Sequence, residues 1–373
     1  MNSKVLRGMV FALFLAVFAG LLVRINNRPV FGSEDTFMEF ETARIVQILE
    51  DNTFEDEGRT MGNLRVEMEI LSGRYEGELV ETVYHFIRLS NIRVDAGDRV
   101  SVRVSTLNGE LVSAAFDTFE RREILAFSVL AFFAILIAIS GKKGVMSLIG
   151  LVFTLVSIVF LLIPLMLQGV PVIPVTIAII GMVAFVTLFL LFGFTKKMWV
   201  SFIGCFFGVL MAAGLAQLVG GLLAINGLHM EEADVLMRLV NIHEFSLQGE
   251  GLFISGILIA SLGAVMDIAV SVVSAMDEIK ANHQEVTWQN LFKSGMNIGR
   301  DMMGTMSNTL ILAFAGAGLN TIMILYITSF SFNQLINSDF LALEIIRGIA
   351  GSLGLILTVP LVAFVQAKVL SKT

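Results

Sequence analysis

The stretch "LFISGILIASLGAVMDIAVSVVSAMDEI", Leu252–Ile279, decides the class of fold. It is long enough, at ~1.5 Å per residue, to cross a ~30 Å hydrocarbon layer as a helix. One acid, Asp267, sits inside it, and two more, Asp277 and Glu278, close it. An ionised carboxylate at the centre of a bilayer costs ~2.5–3.5 kcal/mol even on insertion scales. The segment therefore reads as a membrane-crossing helix whose internal acid is either offset by neighbours or put to use.

The rest of the chain agrees with that class. Of 373 residues, 56% are hydrophobic and only 15% charged, where a soluble domain carries about 25% charge. Mean hydropathy is +0.83. The net charge of −7 and the lack of a long basic run argue against nucleic-acid binding. The single cysteine, Cys205, lies in an apolar run and rules out a disulfide framework.

Eight apolar segments are predicted to span. The first, within residues 1–27, opens with Lys4 and Arg7 and runs apolar from Gly8 to Val23. Val17 and Ala19 would fit signal-peptide cleavage after Ala19, but the apolar run continues for another turn, which favours an uncleaved anchor. The other seven are Ile124–Ser140, Val145–Leu167, Val170–Phe194, Trp199–Ile225, Leu252–Met276, Met302–Thr328 and Phe340–Gln366. The domains expected are thus an anchor (1–27), a β domain (33–123) and a seven-helix membrane domain (124–373).

Residues 33–123 differ in composition. "LRVEMEI", Leu64–Ile70, and "DRVSVRV", Asp98–Val104, alternate apolar and polar residues, the period of a strand with one buried face. Phe40–Leu49, Glu78–Phe86 and Leu111–Phe116 complete five candidate strands, separated by the turn signals "SGRYEG", "DAGD" and "LNGE". Five short strands predict a small β-barrel-like, OB-like domain. It lacks the basic, aromatic-rich face of a nucleic-acid binder.

Orientation follows from the positive-inside rule. Lys4 and Arg7, Lys142 and Lys143, Lys196 and Lys197, then Lys280, Lys293 and Arg300, and finally Lys368 and Lys372 all fall on one side when both termini are cytoplasmic. Arg24 and Arg28 are the exceptions. The β domain and residues 226–250 then lie outside.

Three helices hold the candidate chemistry. At 100° per residue, Asp267, Ser271, Ser274 and Glu278 share one line, which is expected to face inward, while Asp277 falls off it as a headgroup-level charge. Asp267 lies ~22 Å along the helix from Leu252, past the midplane towards the cytoplasm. The next span carries Asp301, Thr305 and Asn308, and the last carries Glu344 and Arg347, then Gly351, Gly354 and Thr358. This predicts a proton, ion or substrate track of Asp267, Ser271, Ser274, Glu278, Thr305, Asn308 and Arg347, with Asp267 protonatable. The plainer alternative is interhelical hydrogen-bonding glue, with Arg347 paired to Glu344 at i, i+3.

Gly204, Gly208, Ala212, Ala216, Gly220 and Ala224 form a small-residue ridge that predicts close packing against a helix of the same chain. Residues 280–300 alternate apolar and polar groups around Trp288, as in an amphipathic helix on the cytoplasmic surface. His229, Glu231, Glu232, Asp234, His243 and Glu244 are metal-ligand types, but their spacing fits no metal motif, so no metal and no cofactor is expected. HExxH, Walker and GxSxG patterns are absent, as is the GxGD of intramembrane aspartyl proteases; nothing points to an enzyme.

"SLGAVMDIAVSVVSAMDEI" (Ser261–Ile279), "NIGRDMMGTMSNTLILAFAGAGL" (Asn297–Leu319) and "EIIRGIAGSLGLILTVPLVA" (Glu344–Ala363) resemble the YibE/F family. The anchor, outer β module and helix plan match as well, so the resemblance covers nearly the whole chain. It implies a multi-pass bacterial plasma-membrane protein and names no substrate. An acid within a span, then "DEI" and an amphipathic segment, then a helix with "RD…NT", is similar more distantly to SecD/SecF and the wider RND permeases. That likeness implies proton-driven movement, with Asp267 at the intramembrane acid and Asn308–Thr309 at the polar pair of the next helix. The expectation is a secondary, proton-coupled transporter or envelope permease. The alternative is a non-transporting scaffold or envelope assembly factor whose outer β domain binds a partner. The partners expected are the lipid bilayer, an envelope protein or a second copy, and no nucleic acid.

Overall fold

The computed structural model describes residues 18–25, 38–56, 59–86, 93–107, 110–225, 233–242, 245–249, 251–328 and 330–371. The chain divides into two compact units, Phe31–Leu136 and Met1–Val30 with Ile137–Thr373.

The first unit is a nearly closed antiparallel barrel of the five strands that alternation predicted: β1 (Met38–Asp56), β2 (Arg59–Ile70), β3 (Leu79–His85), β4 (Arg99–Leu107) and β5 (Glu110–Phe119). The order is β3-β2-β1-β4-β5, and β3 comes back close to β5. Closure depends on β1, whose 19 residues pair with β4 over Met38–Arg44 and with β2 from Ala43 onward. Register shifts between Ile45 and Gln47 and between Ile48 and Glu50 let that strand bend around the barrel. The alternating valines do what their period demands: Val66, Met68 and Ile70 on β2, and Val100, Val102 and Val104 on β4, are fully buried.

Glu120, just past β5, ties the barrel to the chain that leaves it. Its Oε2 accepts from the Thr42 hydroxyl on β1 at 3.0 Å, and its Oε1 from the Arg122 backbone N–H at 2.9 Å. The Arg122 N–H bond, helped by Thr42, holds this carboxyl below the usual range despite burial. A folded-state value below the unfolded one gives stability that is present above the ordinary carboxylate range and lost as pH falls through the folded value. Glu120→Gln is therefore expected to lower the protection of β1 and β5 amides, relative to their intrinsic exchange rates, at pH 7 and to shrink the further loss of protection on acidification. Hydrogen exchange at pH 7 and pH 3 checks this.

The second unit is helical. Residues 18–25 form α1, and the Phe18 ring packs against Phe153 at 4.8 Å. Then come α2 (Arg122–Ser157), whose residues up to Leu136 belong to the first unit, a π turn (Ile158–Leu162), α3 (Ile163–Leu167), α4 (Val172–Phe192), α5 (Lys196–Leu222), α6 (Ala233–Ile242) and α7 (Leu252–Asn282). α8 (Trp288–Ala317), α9 (Leu319–Ile327), α10 (Phe332–Ile336) and α11 (Asp339–Ser371) follow.

Among the described residues, five helical runs are long and apolar enough to span, or six when α8 and α9 count as one bent pair. The eight predicted spans map onto these with definite differences. Ile124–Ser140 and Val145–Leu167 fall in one run, Arg122–Leu167, broken at Gly141, whose φ of 56° and ψ of −133° leave the helical region. The predicted span Met302–Thr328 is bent by 61° at Gly318. Most of the anchor lies outside the described residues.

The surface helix expected at 280–300 is not a separate element. Lys280–Asn282 finish α7, the Thr287 hydroxyl caps α8, and α8 runs unbroken from Trp288 into the apolar stretch. Its alternating apolar residues face the core instead: Leu291 is fully buried.

α11 is the central helix, packed on α5, α7 and α8. The small-residue ridge of α5 meets it within the chain, as predicted. A Cβ placed on Gly204 would lie 2.0 Å from Val362, and one on Gly354 would lie 2.6 Å from the Gly208 carbonyl oxygen. Ala212 and Ala216 are fully buried on the same ridge, which stops before Ala224, exposed at φ 54°.

Candidate functional site

α7 does not point its polar line inward. Val265, Ile268, Ala269, Val272, Val273 and Met276 are fully buried, and they occupy the side opposite Asp267. Asp267, Ser274 and Glu278 are exposed and Ser271 is half-buried, with Gly256 and Gly263 continuing the exposed line. The expectation of an inward line is thereby overturned. An apolar helix has no amphipathic contrast to mark its inner side, and the branched residues won the interior by packing. Glu278 accepts from the Asn282 carboxamide at 3.2 Å. Asp267 has no hydrogen-bond or ion-pair partner among the described residues.

α8 repeats the arrangement. It buries Leu291, Gly295 and Gly299 and exposes Asp301, Gly304, Thr305 and Asn308. The Thr305 hydroxyl donates back to the Met302 carbonyl at 3.0 Å. The depths of α7 and α8 are fixed by contact: a Cβ on Gly295 would lie 2.5 Å from the Met276 sulfur. Nine residues separate Met276 from Asp267 and nine separate Gly295 from Gly304, so Asp267 and Gly304 stand level, ~13.5 Å from that contact. Asn308 is level with Gly263 by the same count. One check on this register is independent: Ser261 and Leu310, level by it, both approach Gly351.

Arg347 belongs to another place. It is half-buried on α11, bonded to Glu344 one turn earlier, and lies 5.8 Å from the Phe253 ring at the start of α7. The pairing with Glu344 that sequence offered as the alternative reading is the one observed. Asp267 is half-way down α7 from Phe253, so Arg347 is separated from it by ~20 Å of helix. The seven predicted residues thus form a stripe on α7, a second on α8 at matching depth, and a distant ion pair.

The polar cluster that does tie helices together was missed. Asp277, set aside as a headgroup-level charge, has Oδ2 2.5 Å from Lys197 Nζ on α5, and its Oδ1 accepts from the Gln366 carboxamide on α11 at 2.8 Å. Gln366 is 1% exposed. The usable signal was a glutamine inside an apolar helix, a residue that must find a partner when buried. A second buried link joins Thr176 of α4 to Ser255 of α7, hydroxyl to hydroxyl at 2.9 Å.

A cleft of about 330 Å³ opens between the ends of α4, α5 and α7, lined by Pro171, Pro174, Gln217, Gln248 and Phe253 among others. None of the predicted site residues lines it. Of the loop residues with metal-ligand chemistry, His229, Glu231, Glu232, His243 and Glu244 lie outside the described residues, as does the Asp234 side chain. Among the described residues no three such groups come together.

A family model described as YibE/F-like protein matches residues 128–372. No curated protein and no solved structure matches.

Proposed function

The chain belongs to the YibE/F-like protein family, and from that premise we propose that it is a secondary, proton-coupled transporter or envelope permease of a bacterial plasma membrane. Asp267 is its protonatable group, and Ser271, Ser274, Thr305 and Asn308 are its polar neighbours. Arg347 and Glu278 drop out of the track, because each is bonded elsewhere. Both termini are cytoplasmic and the barrel is extracytoplasmic; its strand order, with β1 shared between β2 and β4, fits an OB-like fold.

One observation carries this reading: an acid with no partner among the described residues, exposed deep within an apolar helix. Glue would be bonded within its own unit, as Asp277 is. A carboxyl kept at that depth without such a bond costs stability, and its retention is accounted for by a use.

Proton flux into proteoliposomes, followed with a trapped pH-sensitive dye, tests the proposal. The wild type is expected to carry an inward flux under an imposed gradient. Asp267→Asn is expected to fall to the rate of empty vesicles with an unchanged melting temperature. Equal flux from the two proteins would sink it.

A scaffold function is the second reading, favoured by the apolar side chains exposed on the barrel: Phe54, Leu79 and Val112 are each at least 60% exposed. In that case flux is absent from the wild type too, and removing residues 33–123 abolishes capture of an envelope partner.

A further inference from the structure

We infer that the exposed faces of α7 and α8 pack against the same faces of a second copy of this chain, so that the Asp267 site is completed only in a two-fold dimer.

The argument begins with what lipid would meet. Asp267 faces out of its own unit with no bond among the described residues, and Asn308, whose carboxamide can donate, does the same on α8. Neither group is stable against hydrocarbon. Beside them the surface is cut back rather than filled. Gly256 and Gly263 on α7 and Gly304 on α8 have open space where a side chain would be, with no atom within 4 Å of a Cβ built there. A neighbouring helix can therefore come close along both lines.

Depth selects the occupant. A two-fold axis along the membrane normal turns one copy into the other without changing depth, so a residue can touch only residues of its own level across the interface. A different protein would impose no such match within this chain. Here the match exists. Asp267 is level with the Gly304 notch, beside Thr305, and Asn308 is level with Gly263, one turn nearer the far end. Laid face to face, the carboxyl of each copy enters the notch of the other, and each Asn308 amide comes over a bare glycine within reach of that carboxyl. Both copies supply an acid and its donors, and both bury them in the same contact.

This deepens the permease reading by placing its acid at a subunit boundary. The two are tested separately. Differently tagged copies, both carrying Cys205→Ala to remove the only native thiol, are co-expressed, one with Gly263→Cys and the other with Asn308→Cys. Oxidation in native membranes is expected to join the two tags by a disulfide. The mismatched pair, Ser274→Cys with Asn308→Cys, differs by eleven residues of rise, ~16 Å, and is expected to give none. No product from the level pair, or equal product from both pairs, overturns the dimer. Native mass spectrometry of the wild-type protein in lipid nanodiscs guards against misfolded variants: two copies per particle are expected, and a single copy overturns the proposal. Proton flux through Asp267 without the disulfide would sink the dimer alone, and the disulfide without flux would sink the permease alone.

Discussion

Gly208→Val is expected to leave little folded protein. A Cβ at Gly208 would lie 1.9 Å from the Thr358 hydroxyl, 2.8 Å from the Gly354 carbonyl oxygen and 2.8 Å from Val265. Two of the three neighbours are parts of α11, one of them backbone, and the Thr358 hydroxyl is already committed to the Gly354 carbonyl at 2.8 Å. Nothing there can swing aside, so α5 and α11 must separate along their closest stretch. Overpacking a core typically costs ~1–3 kcal/mol; with backbone on one side and two methyls added beyond the Cβ, about 3 kcal/mol or more is expected. Gly214→Val on the same helix, exposed and with open space around it, controls for helix propensity alone, about 0.5–1 kcal/mol or less. Melting followed by detergent size-exclusion separates the two. Equal melting temperatures would show that α5 and α11 do not meet at Gly208.

Asp277→Ala is expected to be the second most damaging change. It removes the acceptor of the buried Gln366 amide and the counter-charge of Lys197 in one step. Stranding a buried donor costs about 1–3 kcal/mol. The Lys197 side chain is 44% exposed, so water replaces most of what the lysine loses, and the ion pair adds little. Lys197→Ala should accordingly cost much less, because Asp277 keeps its bond to Gln366. Asp267→Asn should cost least of the three, since no described residue of its own chain bonds it. The order of thermal stability expected is therefore Asp267→Asn above Lys197→Ala above Asp277→Ala. If Lys197→Ala proved as harmful as Asp277→Ala, the lysine rather than the amide would be the partner that matters.

These two acids of α7 show how far a sequence can be read here. Strand period placed all five strands, because alternation is a local signal and Val66, Val100 and Val102 obey it. The four-residue spacing from Gly204 to Gly220 announced a close helix contact for a reason just as local: no side chain stands in the way. Helical geometry also separated Asp267 from Asp277 correctly. What it could not supply was the sign of that separation. With apolar residues on every side of α7, nothing in the spelling says which face meets the rest of the chain, and the polar line was given the inside when packing gave it the outside.

The sequence by itself determined the apolar class, the five-stranded barrel, the small-residue contact face and the position of each polar group along its own helix, since each follows from period and rise along one segment. Tertiary structure alone decided that Gly204 and Gly208 meet Val362 and Gly354 of α11, that Asp277 rather than Asp267 is bonded to Lys197 and Gln366, and that Asp267 faces away from its own unit. Those are matters of which segment lies against which, and they are settled by the fit of branched side chains against glycines more than a hundred residues away.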